Sequence, residues 1–137
     1  MKKNELNLEL FIKALTKKTN ESEIEWTIVA KNFYSNLIDR TLDGAIIKDA
    51  YYSDGKTGRV VVGKYEKKVY YEEDEYYLDD FFFLTLTDDR FNSPTSFLKY
   101  DDEIESKYSF PLELSKLHRL IQINTNNVKE RFKNFFD

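Results

Sequence analysis

An α+β fold is what this sequence predicts: an antiparallel meander of four to five strands, with one N-terminal and two C-terminal helices packed mainly on one face. Three observations predict it. Apolar residues recur at helical spacing near both ends of the chain, as in Leu8, Phe11, Ile12 and Leu15. Between Ala45 and Tyr100 the period changes to two and β-branched and aromatic residues take over. Short polar clusters of Gly, Asn, Asp, Ser and Pro separate these segments and supply the turns.

The N-terminal spacing predicts a helix over about 6–18, with Glu9, Lys13 and Lys17 stacked at i+4 on the solvent side. Thr19-Asn20-Glu21-Ser22 competes for backbone hydrogen bonds and ends it. Ile24, Trp26 and Ile28 alternate, as a short strand or the entry to the next turn. Residues 30–43 carry Phe33, Leu37 and Ile38 among Asn, Ser and Asp, which suits a short helix or an ordered loop.

Ile46, Ile47, Tyr51 and Tyr52 begin the sheet, Ser53-Asp54-Gly55-Lys56-Thr57-Gly58 reads as a turn, and Arg59 to Tyr65 returns as a strand. Val69-Tyr70-Tyr71 continues that hairpin or forms a further strand, and the charged run at 72–75 reads as a turn. Tyr76 to Thr87 is the strongest strand, with Phe82, Leu84 and Leu86 on one face and Phe81, Phe83 and Thr85 on the other. A last strand over about 95–100 precedes a second acidic turn at 101–105. Pro111 suits the first turn of a helix with a stripe of Leu114, Leu117, Leu120 and Ile121. Asn127 and Glu130 approximate a capping box for a final amphipathic helix carrying Val128, Phe132, Phe135 and Phe136.

At 137 residues the chain has the length of one domain, 1–137, and four Gly and two Pro leave no composition for a flexible linker. No apolar run approaches the roughly 18 residues that span a bilayer. The opening residues lack the apolar core of a signal peptide, so a cytoplasmic protein with no membrane partner is expected. Zero Cys excludes disulfides, thiolate metal sites and Cys nucleophiles. The net charge of −4 conceals an asymmetry: residues 66–105 hold thirteen acids and four bases, so the rest of the chain is net positive.

The opening LELFIKALTKKTNESEIEW, the aromatic hairpins and the closing LSKLHRLIQINTNNVKERFKNFF resemble a loose class of small uncharacterised α+β proteins from Gram-positive bacteria, their phages and mobile elements. The resemblance is carried by the two ends. It implies an accessory, interaction-type role and brings no activity to any residue.

Candidate chemistry is sparse. His118 is the one His, beside the apolar stripe of its helix, and is expected as a partly buried packing residue. Asp54, Glu66 and Lys68 would make a nuclease-like set if they converged, the two carboxylates holding Mg²⁺ and the Lys positioning water. Their place in a charged run favours a solvated turn. Asp101-Asp102-Glu103-Ile104-Glu105 lacks the Gly and the bidentate Glu of a calcium-sensor loop. No phosphate-binding Gly motif is present. No enzyme and no cofactor are expected.

Lys116, Arg119, Lys129, Arg131 and Lys133 cluster near the C-terminus, but the pI near 5.2 and the acids around the tyrosines disfavour direct nucleic-acid binding. Another protein with a basic surface is the expected partner. The segment that would meet it comprises Tyr70, Tyr71, Glu72, Glu73, Asp74, Glu75, Tyr76, Tyr77, Asp79 and Asp80, which joins rigid aromatic anchors to carboxylates that steer a basic groove. Such an acidic aromatic ridge suits a phage or mobile-element inhibitor or antidote that occludes a basic site as a DNA mimic does. An immunity or structural accessory protein recognised through its Tyr/Phe sheet face is the alternative. In the plainer account, the tyrosines only pack across the sheet and the acids keep its edge soluble.

Overall fold

The computed structural model describes residues 7–41, 44–99, 101, 104 and 109–136. Among them the order is α1 (Leu8–Asn20), β1 (Thr27–Ile28), a 3₁₀ turn (Lys31–Asn36), β2 (Ile46–Gly55), β3 (Gly58–Tyr70), β4 (Tyr76–Thr87), β5 (Thr95–Phe97), α2 (Ser109–Thr125) and α3 (Val128–Lys133). The five strands form one antiparallel sheet in sequence order, a meander.

Helix α1 starts where the Asn7 side chain accepts the Leu10 N–H at 3.2 Å, and closes just before Ser22, whose φ of +59° turns the chain out of the helix. Its inward residues Leu8, Ile12 and Leu15 meet Phe110, Leu114, Leu117 and Ile121 of α2 on one face of the sheet, over Tyr51, Val60, Val62, Leu84 and Phe97. Trp26 closes this core. Its indole N–H donates to Thr19 Oγ1 at 2.8 Å, and the Thr19 hydroxyl donates on to the Leu15 carbonyl at 2.7 Å, so neither buried polar group lacks a partner.

The other face is covered as well. Val29, Phe33, Tyr34, Leu37 and Ile38 pack on Ala50, Val61, Tyr65, Phe83, Phe91 and Leu98. Thr85 Oγ1 donates to the Leu37 carbonyl at 2.6 Å, the Asp39 carboxylate accepts from the Ser96 hydroxyl at 2.6 Å and from its N–H at 3.1 Å, and Arg40 pairs with Asp101. The segment expected as a short helix or loop is thus a 3₁₀ turn followed by a strap stitched to β4 and β5; Leu42 and Asp43 lie outside the described residues.

Several expected boundaries are corrected. The turn placed at 53–58 narrows to Lys56 and Thr57, because Ser53, Asp54 and Gly55 stay in register with Val60, Arg59 and Gly58. Gly58 is required there: its φ is +136° and a Cβ would strike the Thr87 carbonyl oxygen. β3 runs unbroken to Tyr70, so Val69-Tyr70 extends the hairpin and is no separate strand. β5 ends at Phe97, short of the expected residue 100, and Tyr100 lies outside the described residues. The capping box at Asn127 does not form: Asn127 adopts φ +53° and its side chain makes no cap hydrogen bond. The stripe expected on α3 is not buried either, with Phe132, Phe135 and Phe136 all exposed. Among the described residues no helix is long and apolar enough to cross a membrane.

The strand lengths do not match, and that positions the site. β3 and β4 pair over twelve residues from Arg59↔Thr87 to Tyr70↔Tyr76, while β2 reaches only to Glu66 and β5 covers only Leu84 to Leu86. Beyond those limits β3 and β4 continue, among the described residues, as a two-stranded ribbon.

Candidate functional site, an acidic aromatic ribbon

The ribbon comprises Lys67–Tyr70 and Tyr76–Asp80, closed by Tyr71–Glu75. It closes because the Glu75 carbonyl accepts the N–H groups of Tyr71 at 3.2 Å and Glu72 at 3.4 Å, which folds four consecutive carboxylates, Glu72 to Glu75, over the apex. Each of those carboxylates is exposed.

Strand alternation puts Tyr70 and Tyr76 on the face that carries the helices and Tyr77 on the opposite one. The Tyr70 and Tyr76 rings meet at 5.5 Å, and Tyr71 and Tyr77 stack at 6.4 Å. Each ribbon face therefore presents a tyrosine pair, worth about 0.5–1.5 kcal/mol of local order. None belongs to either core: Tyr70, Tyr71, Tyr76 and Tyr77 are 58, 62, 44 and 51 % exposed, against 3 % for Tyr65 farther down the same strand.

Seven acids and two lysines lie between Glu66 and Asp80. The lysines are placed to hold the ribbon together. Lys67 sits across from Asp79 with its Nζ 5.4 Å from the Phe81 ring, and Lys68 Nζ lies 4.6 Å over Tyr76. Glu66 and Asp80 face each other across the strands, a like-charge pair that Lys48 relieves by approaching Glu66 at 3.2 Å. The apex acids Glu72 to Glu75 lie beyond these bases and are exposed.

All ten residues expected to meet a partner, Tyr70 to Tyr77 with Asp79 and Asp80, share this ribbon, and all ten are exposed. The other candidate sets fare differently. Asp54 pairs with Arg59 near the start of β3, at 2.7 Å, whereas Glu66 lies seven residues further along the same strand, about 23 Å away. Asp54, Glu66 and Lys68 therefore do not assemble into one nuclease-like site. Of the second acidic turn, Asp101 is committed to Arg40 and to the Leu98 N–H, and Asp102, Glu103 and Glu105 lie outside the described residues. No group of three or more His, Cys, Asp or Glu side chains capable of holding a metal occurs among the described residues.

His118 is more than a packing residue. It is 3 % exposed, its Nε2 lies 2.8 Å from Asp49 Oδ1, and its ring packs on Phe82 and edge-on to Tyr51. Sequence reasoning missed Asp49, since nothing in the local pattern signals that the register of β2 shifts beside it. The pair bridges α2 and the sheet, with the imidazole buried and the carboxylate partly exposed, and ties the two together. Burial, reinforced by the Asp49 charge, pushes the Tyr51 hydroxyl pKa above its ordinary value.

A cleft of about 250 Å³ opens at the other end of the sheet, between α1 and the β2–β3 turn, lined by Phe11, Leu15, Ile24, Val60 and Leu86. It is apolar, and its one ion pair, Arg59 with Asp54, is tied up further by the guanidinium lying 4.2 Å over Tyr52 and 4.7 Å over Phe91.

No protein-family model, curated protein or solved structure matches the chain.

Proposed function

We propose that this is a non-enzymatic protein-binding protein whose acidic aromatic ribbon occupies a basic site on another protein and blocks it sterically and electrostatically, as a DNA mimic does. The observation that carries the reading is the exposure of four tyrosines outside both cores, on a projection crowned by four consecutive carboxylates. A ribbon that served only to bury its rings against the sheet would not leave them half exposed. Rigid aromatic rings supply contact area at low entropic cost, and clustered carboxylates accelerate encounter with a basic groove. An inhibitor or antidote of a phage or mobile element is the setting we propose, on the resemblance of the chain ends.

The test compares partner binding by the wild-type chain with that of the variant E72Q/E73Q/D74N/D79N. Loss of at least tenfold in affinity, with a flatter dependence on salt, is expected. Unchanged affinity and unchanged salt dependence sink the reading. The ring pairs Tyr70 with Tyr76, tilted, and Tyr71 with Tyr77, stacked, favour a second reading, an immunity or accessory role in which the rings are recognised instead of the charge. There, Y70A/Y76A weakens binding more than the neutralised acids do.

A further inference from the structure

Among the described residues no strand pairs with the outer edge of the ribbon, and the backbone direction of that edge is determined by the register. In an antiparallel ladder, successive residues turn their N–H and C=O groups to opposite sides. The Val29 N–H donates to the Ala50 carbonyl at 2.9 Å, so Ala50 faces β1 and its partner Gly63 faces β4. The β3–β4 register has no shift, so odd-numbered β4 residues bond to β3 and even-numbered ones face away. At the far end those outward groups meet β5, through Leu84 and Leu86. On the ribbon, Tyr76, Leu78 and Asp80 point theirs to a side where no strand lies among the described residues.

From this we infer that the β4 edge from Tyr76 to Asp80 takes up an extended basic segment of the partner protein as an added strand. The inference rests on the ribbon being the partner-binding element, and it specifies how the partner is held. Backbone bonds supply the affinity in this mode of recognition, and alternate side chains supply the selectivity. Tyr77 and Asp79 flank the edge on one face, and Leu78 and Asp80 on the other. The added strand is therefore expected to carry a base at two consecutive positions, one for each carboxylate, beside apolar or aromatic residues that lie on Tyr77 and Leu78.

Two features select this occupant. Edge-to-edge pairing with a second copy would bring two ribbons rich in exposed carboxylates together, and their mutual repulsion opposes that association. Nucleic acid is repelled by the same groups. In the free chain the Asp79 carboxylate accepts the outward Asp80 N–H at 2.9 Å, which protects the edge. An incoming carbonyl takes over that donor and releases the carboxylate to the partner's Lys or Arg.

The test titrates the full chain with an acetylated, amidated octapeptide that has a central Lys–Arg step flanked by Thr and Val, and with the same peptide N-methylated at its four central amides. Methylation keeps the charge and removes strand pairing. The expected result is at least tenfold weaker binding of the methylated peptide, with hydrogen exchange at the Leu78 and Asp80 amides slowed at least tenfold by the unmethylated one, while Tyr77 and Asp79, already bonded to β3, change little. Equal binding of the two peptides, or binding without slowed exchange at Leu78 and Asp80, overturns strand addition and leaves the basic-partner reading standing. Binding of neither peptide overturns strand addition too, and the basic-partner reading then stands or falls on the E72Q/E73Q/D74N/D79N comparison.

Discussion

The Asp49 carboxylate and the His118 imidazole meet at 2.8 Å because β2 contains one extra residue, Lys48. Ile47 pairs with Tyr65 and Asp49 with Lys64, so two residues of β2 advance while β3 advances one. In a regular strand, residues two apart share a face; the bulge breaks that rule and turns Asp49 to the helix side while Ile47 stays on the other. Lys48, the displaced residue, reaches Glu66. One insertion thus serves both the Asp49–His118 clamp and the base of the ribbon.

Removing one member of the clamp leaves a buried polar group without its partner. Asp49→Ala is expected to destabilise the fold by about 1–3 kcal/mol, measured by urea denaturation. The double variant D49A/H118L should lose clearly less than the sum of the single variants, since the second change removes the orphaned ring nitrogen. Additive losses would show that the two side chains are not coupled.

Gly63 is needed for contact, since it lies where Phe83 crosses β3. A Cβ there would stand 2.6 Å from the Asp49 carbonyl oxygen and from two atoms of the fully buried Phe83 ring. Gly63→Ala is expected to cost about 1–3 kcal/mol through overpacking. Combining it with Phe83→Leu should return part of that loss, giving a coupling of about 0.5 kcal/mol or more in a double-mutant cycle.

The ribbon tyrosines and the core tyrosine on the same strand should separate cleanly. Tyr70→Ala and Tyr77→Ala, at exposed positions, are expected to change stability by under about 1 kcal/mol, the size of a surface aromatic pair. Tyr65→Ala, which empties a position between Phe81 and Phe83, is expected to cost about 3 kcal/mol or more. Equal costs at the two kinds of position would mean that the ribbon is part of the cooperative core.

Acid should loosen the strap over the second face. Partial burial raises the Asp39 carboxyl pKa, but hydrogen bonds from the Ser96 side chain and backbone and from Arg40 outweigh it and hold the pKa below its ordinary value. Asp88 is lowered too, mainly by the N–H groups of Asn92 and Arg90. A depressed folded pKa contributes stability that is fully present above the unfolded value, about 4, and disappears as pH falls through the lower folded value. Urea midpoints followed from pH 6 to pH 2 should therefore fall below about pH 4, and fall less in Ser96→Ala, which lacks the hydroxyl donor to Asp39. A parallel decline in both chains would count against Asp39 as a source of the acid sensitivity.

Much of the architecture was readable from short-range pattern. Helical spacing places Leu8, Ile12 and Leu15, and Leu114, Leu117 and Ile121, on the faces they bury, and period two sorts Phe82 and Leu84 from Phe81 and Phe83, because each pattern reports the geometry of one element. The acids and tyrosines of 70–80 were equally visible as composition. What pattern misread was whatever another element decides: the apolar residues of α3 look like a core stripe, yet Phe132 is 79 % exposed because nothing among the described residues packs against it.

Local periodicity and charge were thus enough for the α+β class, the strand faces and the concentration of carboxylates and rings in one stretch. Whether those rings are core or surface depended on where β2 and β5 stop relative to β3 and β4, a matter of long-range register that no local pattern encodes. The same long-range pairing put Asp49 beside His118 and held Asp54 apart from Glu66, because which residues far apart in the chain meet is set by the register of the whole sheet.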